Sequence, residues 1–242
     1  MRKDCHRRGA RAVLALLAAL SLAGCGGDPG REGPRARAFH LQDVAKGDID
    51  MVAEVTLRQQ RRYLRELADK LYRRNPVQLR RGGFASREQA LRQLLGMPGR
   101  HLLAQWQGRR GSDLIELSLA PDFRGDRVAA FVYGLRSMAV AAYGGEGEFF
   151  IHHGYDPQKI YHLARNTEIA AWRLRRARDA AGRPLLLSLE ADGTGRVNTS
   201  FERLFGKLIA LHDQFAQVVA DTGNRRIKNV IQGVASAVFF PI

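Results

Sequence analysis

Apolar side chains recur at helical spacing along most of the chain from residue 49 onwards. Between residues 49 and 74 they fall three to four positions apart, and no Pro or Gly interrupts them. This pattern predicts one long amphipathic helix. Asp48 or Asp50 caps its start, and Asn75-Pro76 ends it. The predicted apolar face consists of Val52, Val55, Tyr63, Leu64, Leu67 and Leu71.

The middle of the chain predicts three further helices. Ser86 and Gln89 have the spacing of a capping box, and a short helix follows to Leu95. A second short helix is predicted over residues 112–120. The third, over residues 126–143, is apolar nearly all round. Such a pattern is typical of a helix at the centre of a domain.

Helical patterns also cover most of the last third of the chain. Asp156 before Pro157 is a strong helix start, and this helix is predicted to reach residue 179. Ser200 is predicted to cap a helix that runs to residue 221. Residues 225–240 form a last helical pattern, with an apolar stripe that favours docking on the core over lying on a membrane surface.

Two short segments are candidates for strands. Residues 148–151 are rich in aromatic and β-branched side chains, and residues 185–189 form a short apolar run. We expect them to pair as a minor β-hairpin. The predicted fold class is therefore mainly α, a single helical domain with a minor β-hairpin element. Gly206 and Ala210, four positions apart, predict close packing of one helix on another.

The first 25 residues have the features of an export signal rather than of a folded domain. Basic residues precede a short apolar stretch over residues 12–23, which is too short to span a membrane. Leu22-Ala23-Gly24-Cys25 follows, and it resembles the lipobox of bacterial lipoproteins. The resemblance implies cleavage before Cys25 and acylation of its thiol and its amine. Two or three acyl chains anchor a protein stably where one binds only marginally.

This interpretation divides the chain into three parts. Residues 1–24 are the predicted lipoprotein signal peptide, residues 25–38 a flexible tether rich in Gly and Pro, and residues 39–242 a helical periplasmic domain. Gly26 follows Cys25, which by resemblance to the enteric sorting rule implies the outer membrane. Stretches such as residues 125–145 and 165–188 also resemble uncharacterised lipoproteins of proteobacteria, a resemblance that implies no activity.

The charge balance points to anionic partners. The chain has 39 Lys and Arg against 24 Asp and Glu, a formal net charge of +15. Export makes nucleic acid an unsuitable partner. A basic surface near a membrane attracts anionic lipid, lipopolysaccharide or acidic protein. Alternatively, the arginines solvate helix faces. The basic runs lie at residues 58–62, 73–74, 80–81, 109–110, 173–178 and 225–226.

Candidate chemistry is sparse. No G-x-S-x-G or S-x-x-K motif surrounds Ser118, Ser137, Ser188 or Ser236. His152-His153 is the one histidine cluster, and adjacent residues of an extended segment point to opposite faces. We therefore expect no catalytic residue, no metal and no cofactor, with Cys25 the single modification site. The other histidines that remain after signal cleavage are His40, His101, His162 and His212.

Three functions remain open at this stage. The leading hypothesis is a membrane-anchored adaptor or structural component of a cell-envelope assembly, which acts by binding. The alternative is a lipid- or glycolipid-binding protein with a cleft between helices, lined by Phe131, Val132, Met138 and Phe205. The third is an enzyme with an unrecognised site around His152, His153, Tyr155 and Asp156.

Overall fold

Helices account for the regular structure that the computed structural model describes, namely residues 47–96, 98–145, 154–188, 199–223 and 239–242. Within these ranges the fold is mainly α, as predicted. These ranges belong to one compact unit, Ala45–Ile242, whereas the unit Met1–Val44 lies outside the described residues. In chain order the helices are α1 (Asp48–Arg74), α2 (Val77–Arg81), α3 (Arg87–Leu95), α4 (Arg100–Gln105), α5 (Gly111–Ser118), α6 (Arg127–Ala142), α7 (Pro157–Arg176) and α8 (Thr199–Thr222).

Helix α6 lies at the centre, as its all-round apolar pattern predicts. Twelve of its sixteen residues are buried, and it packs against α1, α3, α5 and α7. Asp126 caps its start, because one carboxylate oxygen accepts a hydrogen bond from the Ala129 N–H (2.9 Å). A helix apolar on all sides is stable only where neighbours cover every side.

Helix α1 buries a different face near its start from the one predicted. Leu64 and Leu67 are at most 1% exposed, as predicted, but Val52 and Val55 are 40% and 49% exposed. The straight stripe that continues from Leu64 towards the N-terminus passes through polar Thr56 and Gln60, which are buried instead. Thr56 satisfies its hydroxyl by donating to the Val52 carbonyl (2.8 Å). The predicted apolar face is therefore wrong at Val52 and Val55.

Close helix packing occurs at a different glycine from the predicted one. A Cβ on Gly134 of α6 would lie 2.6 Å from Ile115 Cγ1 and 3.0 Å from the Gly111 carbonyl oxygen, so α5 and α6 approach closely there. Gly206 of α8 is exposed, and a Cβ there would meet open space. The close packing predicted at Gly206 is therefore wrong.

The predicted β-hairpin is not supported. Residues 148–151 and 189 lie outside the described residues, and residues 185–188 form no strand. The Asn75 side chain forms hydrogen bonds with the main-chain groups of Leu187 instead. Asn75 Oδ1 accepts from the Leu187 N–H (2.8 Å), and its Nδ2 donates to the Leu187 carbonyl (3.0 Å). Leu186 is buried in the core, so the apolar run anchors a loop rather than pairing with a strand.

Several helix boundaries differ from the predicted ones. Asp156 caps α7 as predicted, accepting from the Gln158 N–H (2.9 Å). Helix α7 nevertheless ends at Arg176, because Ala177 is extended and Asp179 accepts from two N–H groups of the following turn. Helix α8 begins at Thr199, so Ser200 lies within it. The short helices α2 and α4 were not predicted.

Of the two hydrogen bonds predicted for the capping box at α3, one is present. Ser86 Oγ accepts from the Gln89 N–H (3.1 Å). The Gln89 side chain, however, accepts from the Ala85 N–H (2.8 Å) rather than from that of Ser86. The helix that follows ends at Leu95, as predicted.

Candidate functional site

Three of the predicted site residues lie outside the described residues. They are Cys25, the predicted lipidation site, and His152 and His153 of the hypothetical enzyme site. The other two members of the enzyme site have structural partners. Tyr155 donates its hydroxyl to the Asp50 carboxylate (3.0 Å) and is buried. Asp156 caps α7. Tyr155 thus fastens the start of α1 to the start of α7.

The four residues predicted to line a lipid cleft lie in the hydrophobic core. Phe131 and Val132 are fully buried, and Met138 and Phe205 are each 2% exposed. The rings of Phe131 and Phe205 meet edge to face, with centroids 6.3 Å apart. Phe131 of α6 therefore packs against Phe205 of α8, and all four side chains belong to the core.

Two of the described histidines, His101 and His212, contact other parts of the fold. His101 Nε2 lies 3.0 Å from the Gly82 carbonyl oxygen. His212 is buried with its Nδ1 3.2 Å from the Tyr143 hydroxyl, and burial lowers the His212 pKa to about 3. His212 is therefore neutral at physiological pH. Within the described ranges, no group of three or more His, Cys, Asp or Glu side chains could hold a metal ion.

Ser118 and Ser137 donate their hydroxyls to main-chain carbonyls rather than to a catalytic base. Ser118 Oγ donates to the Ile115 carbonyl (2.6 Å). Ser137 Oγ donates to the Tyr133 carbonyl (2.8 Å). Ser188 is buried, and Ser236 lies outside the described residues.

A buried polar cluster surrounds the start of α6, and we call Tyr72, Gln78, Gln105, Asp126 and Arg127 the Asp126 cluster. The Asp126 carboxylate accepts from the Tyr72 hydroxyl (2.8 Å). Gln105 Oε1 accepts from the Asp126 N–H (3.2 Å), and Gln78 Oε1 accepts from the Arg127 N–H (2.9 Å). The cluster thus ties α1, α2 and α4 to the start of α6.

Both charged groups of the Asp126 cluster are perturbed by burial. Asp126 is fully buried, and burial raises its pKa to about 7. The Arg127 guanidinium donates to the carbonyls of Ser118 (2.8 Å), Ala120 (2.7 Å) and Pro121 (3.2 Å). Burial lowers the pKa of Arg127. Because Asp126 is inaccessible to solvent, the cluster is suited to holding the fold rather than to meeting a substrate.

The basic runs divide between exposed positions and ion pairs. Arg58, Arg61 and Arg62 of α1 are exposed. Several other arginines join helices through ion pairs: Arg87 with Asp69 (2.6 Å), Arg165 with Asp213 (2.6 Å), Arg173 with Glu116 (3.0 Å) and Arg175 with Glu202 (3.4 Å). Part of the positive charge therefore has a packing role, and residues 225–226 lie outside the described ones.

One face of α7 holds residues 239–242, and we call His162, Asn166 and Arg173 the Asn166 site. Asn166 is fully buried. Its Nδ2 donates to the Phe240 carbonyl (2.8 Å) and its Oδ1 accepts from the Phe240 N–H (2.7 Å). One amide side chain thus pairs with both main-chain groups of one residue. Residues 239 and 240 are not helical, so the helix predicted to continue to residue 240 is wrong there.

Two side chains flank Asn166 and complete the site. His162 Nδ1 lies 2.8 Å from the Pro241 carbonyl oxygen; because a carbonyl only accepts, this nitrogen carries the proton. The His162 ring also stacks on Phe240, with centroids 5.0 Å apart. The Arg173 guanidinium lies over the Phe239 ring, 4.7 Å from its centroid. The site therefore offers main-chain pairing at its centre and a ring contact on either side.

Asn166 was not among the functional residues predicted from the sequence. Positions 162, 166 and 173 are four and seven apart, so they share one face of a helix. Asn166 interrupts the buried stripe formed by Leu163 and Ala170. A polar residue within an apolar stripe needs a buried partner, and that requirement is the signal that was available.

Among the described residues, no helix combines the length and the apolar character needed to cross a membrane. No family model, no curated protein and no solved structure matches the chain.

Proposed function

We propose that this protein is a lipid-anchored component of the bacterial cell envelope that acts by binding, as an adaptor or structural component of an envelope assembly. Cys25 of the lipobox-like segment attaches it to the outer membrane, with its helical domain facing the periplasm. The sequence of residues 1–25 supports the anchor and the location.

The packing between α6 and α8 is the observation that carries the choice of binding over lipid transport. The four side chains assigned to a lipid cleft are at most 2% exposed, and the rings of Phe131 and Phe205 pack edge to face. A ligand-binding cleft would need that space. In addition, three apolar residues of α1 are 40–49% exposed: Met51, Val52 and Val55. An exposed apolar patch beside basic residues suits contact with another macromolecule.

The experiment is an affinity purification after mild crosslinking in cells. The tag belongs in the tether, after residue 30, so that residues 239–242 stay free of it. The matched control is Cys25→Ser, exported by the same signal but unable to take an acyl chain through sulfur. Bound proteins and lipids are both identified by mass spectrometry.

The expected result is a discrete protein partner that is recovered with the native chain and lost with Cys25→Ser. Labelling with radioactive palmitate should mark the native chain and not the variant. A stoichiometric lipid without any protein partner would contradict the adaptor and favour the lipid-binding alternative. An unlabelled native chain would contradict the anchor.

A further inference from the structure

The Asn166 site recognises main-chain groups more than side chains. Both hydrogen bonds of Asn166 go to the N–H and carbonyl of Phe240, and His162 donates to the carbonyl of Pro241. Every residue except proline carries both of these groups. A residue that pairs with Asn166 must have both its N–H and its carbonyl free of other hydrogen bonds. A non-helical segment meets this requirement, whereas the interior of a helix does not.

The ring contacts add side-chain preference to this main-chain recognition. Phe240 stacks on His162, and Phe239 lies under Arg173. Two successive aromatic residues therefore place one ring on each flank of Asn166. The preferred occupant is a non-helical segment with two adjacent aromatic side chains.

The burial of Asn166 means that the site needs an occupant. The relative exposure of Asn166 is 0%, so its amide contacts its hydrogen-bond partners but not solvent. A buried amide that loses its hydrogen-bond partners costs roughly 1–3 kcal/mol. Replacement of one segment by another retains these bonds, whereas simple departure of residues 239–242 breaks them.

We propose that the Asn166 site is a peptide-binding site, and that a non-helical aromatic segment of a protein partner binds there in place of residues 239–242. In this arrangement residues 239–242 are an internal competitor that covers the site until the partner arrives. The inference rests on the proposed function, because it names the kind of partner segment through which the adaptor binds.

The internal competitor sets how the site responds to added peptide. Sixteen residues, 223–238, join α8 to the bound segment. A segment of the same chain binds in an intramolecular step, so it acts at a high effective concentration compared with a free peptide. A free peptide with the same contacts is therefore largely excluded from the native chain, and its binding becomes visible when the competitor is deleted.

The test is fluorescence anisotropy with a labelled hexapeptide that has the sequence of residues 237–242, Ala-Val-Phe-Phe-Pro-Ile. It is added to the detergent-purified full chain, to the chain that lacks residues 239–242, and to that deletion chain with Asn166→Leu. We expect binding at least tenfold tighter to the deletion chain than to the full chain. Asn166→Leu should weaken it at least tenfold, as should a peptide with Ser at both Phe positions.

Two results would overturn the proposal. The first is absence of saturable binding to a deletion chain that still unfolds cooperatively. The second is binding that Asn166→Leu leaves unchanged. If the deletion chain does not fold, Phe240→Ala in the full chain replaces it, because loss of the ring contact weakens the competitor without shortening the chain. That variant should take up more peptide than the native chain, and equal uptake would overturn the proposal.

Failure of this inference is distinguishable from failure of the proposed function. A crosslinked protein partner recovered equally well by native chain and Asn166→Leu would keep the adaptor and overturn the peptide site. A native chain that elutes as a dimer, and that the hexapeptide dissociates, would make a second copy the occupant and overturn the foreign partner.

Discussion

Asp126 and Asn166 are both fully buried polar side chains, and they differ in which part of the molecule satisfies them. Tyr72 of α1 and the first turn of α6 pair with Asp126. Phe240, from a segment without helix or strand, pairs with Asn166. Two polar groups that are equally buried can thus be held by different parts of the structure. The first bond set is broken only when helices separate, whereas the second is broken when four residues leave.

The largest expected effect concerns the charge of Asp126. Burial raises its pKa from the ordinary 3.8 to about 7, so the folded protein binds this proton more tightly than the unfolded chain. The stability that the proton supplies is present below pH 4 and is lost as the pH rises to 7. Relative to Asp126→Asn, which does not titrate, the native chain should lose about 4 kcal/mol over that interval, at about 1.4 kcal/mol per pH unit.

Urea unfolding of the two proteins between pH 4 and 8 measures this difference. His212 acts in the opposite sense: burial lowers its pKa to about 3, so its contribution is lost as the pH falls below 6.5. Because His212 is present in both proteins, it cancels in the comparison. A difference that stays constant with pH would show that Asp126 titrates normally in the folded state.

The second effect compares removal of each buried side chain. At pH 5, Asp126→Ala should destabilise by about 3 kcal/mol, since it removes a helix cap and leaves the Tyr72 hydroxyl buried without its acceptor. Asn166→Ala should cost about half as much, because the Phe240 main chain can turn to water. Chemical denaturation of both variants measures the ratio. An equal cost would remove the distinction between the two sites.

The third effect is a coupling between Asn166 and residues 239–242. Deletion of these residues should cost about 2 kcal/mol, largely because the Asn166 amide loses its partners. In the deletion chain, Asn166→Leu should then be neutral or stabilising, although it is destabilising in the full chain. A double-mutant cycle measures this coupling. Additive effects would show that the amide and the segment do not depend on each other.

The smallest effect concerns two glycines in helices. Gly134→Ala should destabilise by about 1–2 kcal/mol, because its Cβ would press against Ile115 and α5 cannot move away from α6 without opening the core. Gly206→Ala, in open space, should instead stabilise by about 0.5–1 kcal/mol through helix propensity. Thermal melts of the two variants should shift in opposite directions. Two shifts of the same sign would contradict the close packing at Gly134.

Local signals explain what could be predicted from the sequence. The start of α6 near residue 126 and the start of α7 at Asp156 depend on residues at most three positions away, and both predicted starts agree with the structure to within one residue. The central position of α6 follows from its composition alone. Each of these features is decided within one element.

Features that depend on partners far apart in the sequence were not predicted. Val52 and Val55 lie one position off the stripe that packs, and the sequence of α1 alone does not decide between neighbouring stripes. The run at residues 185–188 resembled a strand, but its main chain pairs with Asn75, more than a hundred positions away. Asn166 is the same case, because its partner Phe240 lies 74 positions further along the chain. Short apolar runs and single buried amides acquire their roles only from tertiary contacts.

Native-state hydrogen exchange tests the central distinction most directly, because the two sites present matched reporters. The Ala129 N–H donates to Asp126 Oδ1 (2.9 Å), and the Phe240 N–H donates to Asn166 Oδ1 (2.7 Å). We predict that Phe240 exchanges through a local opening that low urea concentrations barely affect, and that added hexapeptide accelerates its exchange. Ala129 should exchange only through global unfolding. Exchange of both amides with the same free energy and the same urea dependence would show that residues 239–242 are as fixed as the core, and would contradict the account.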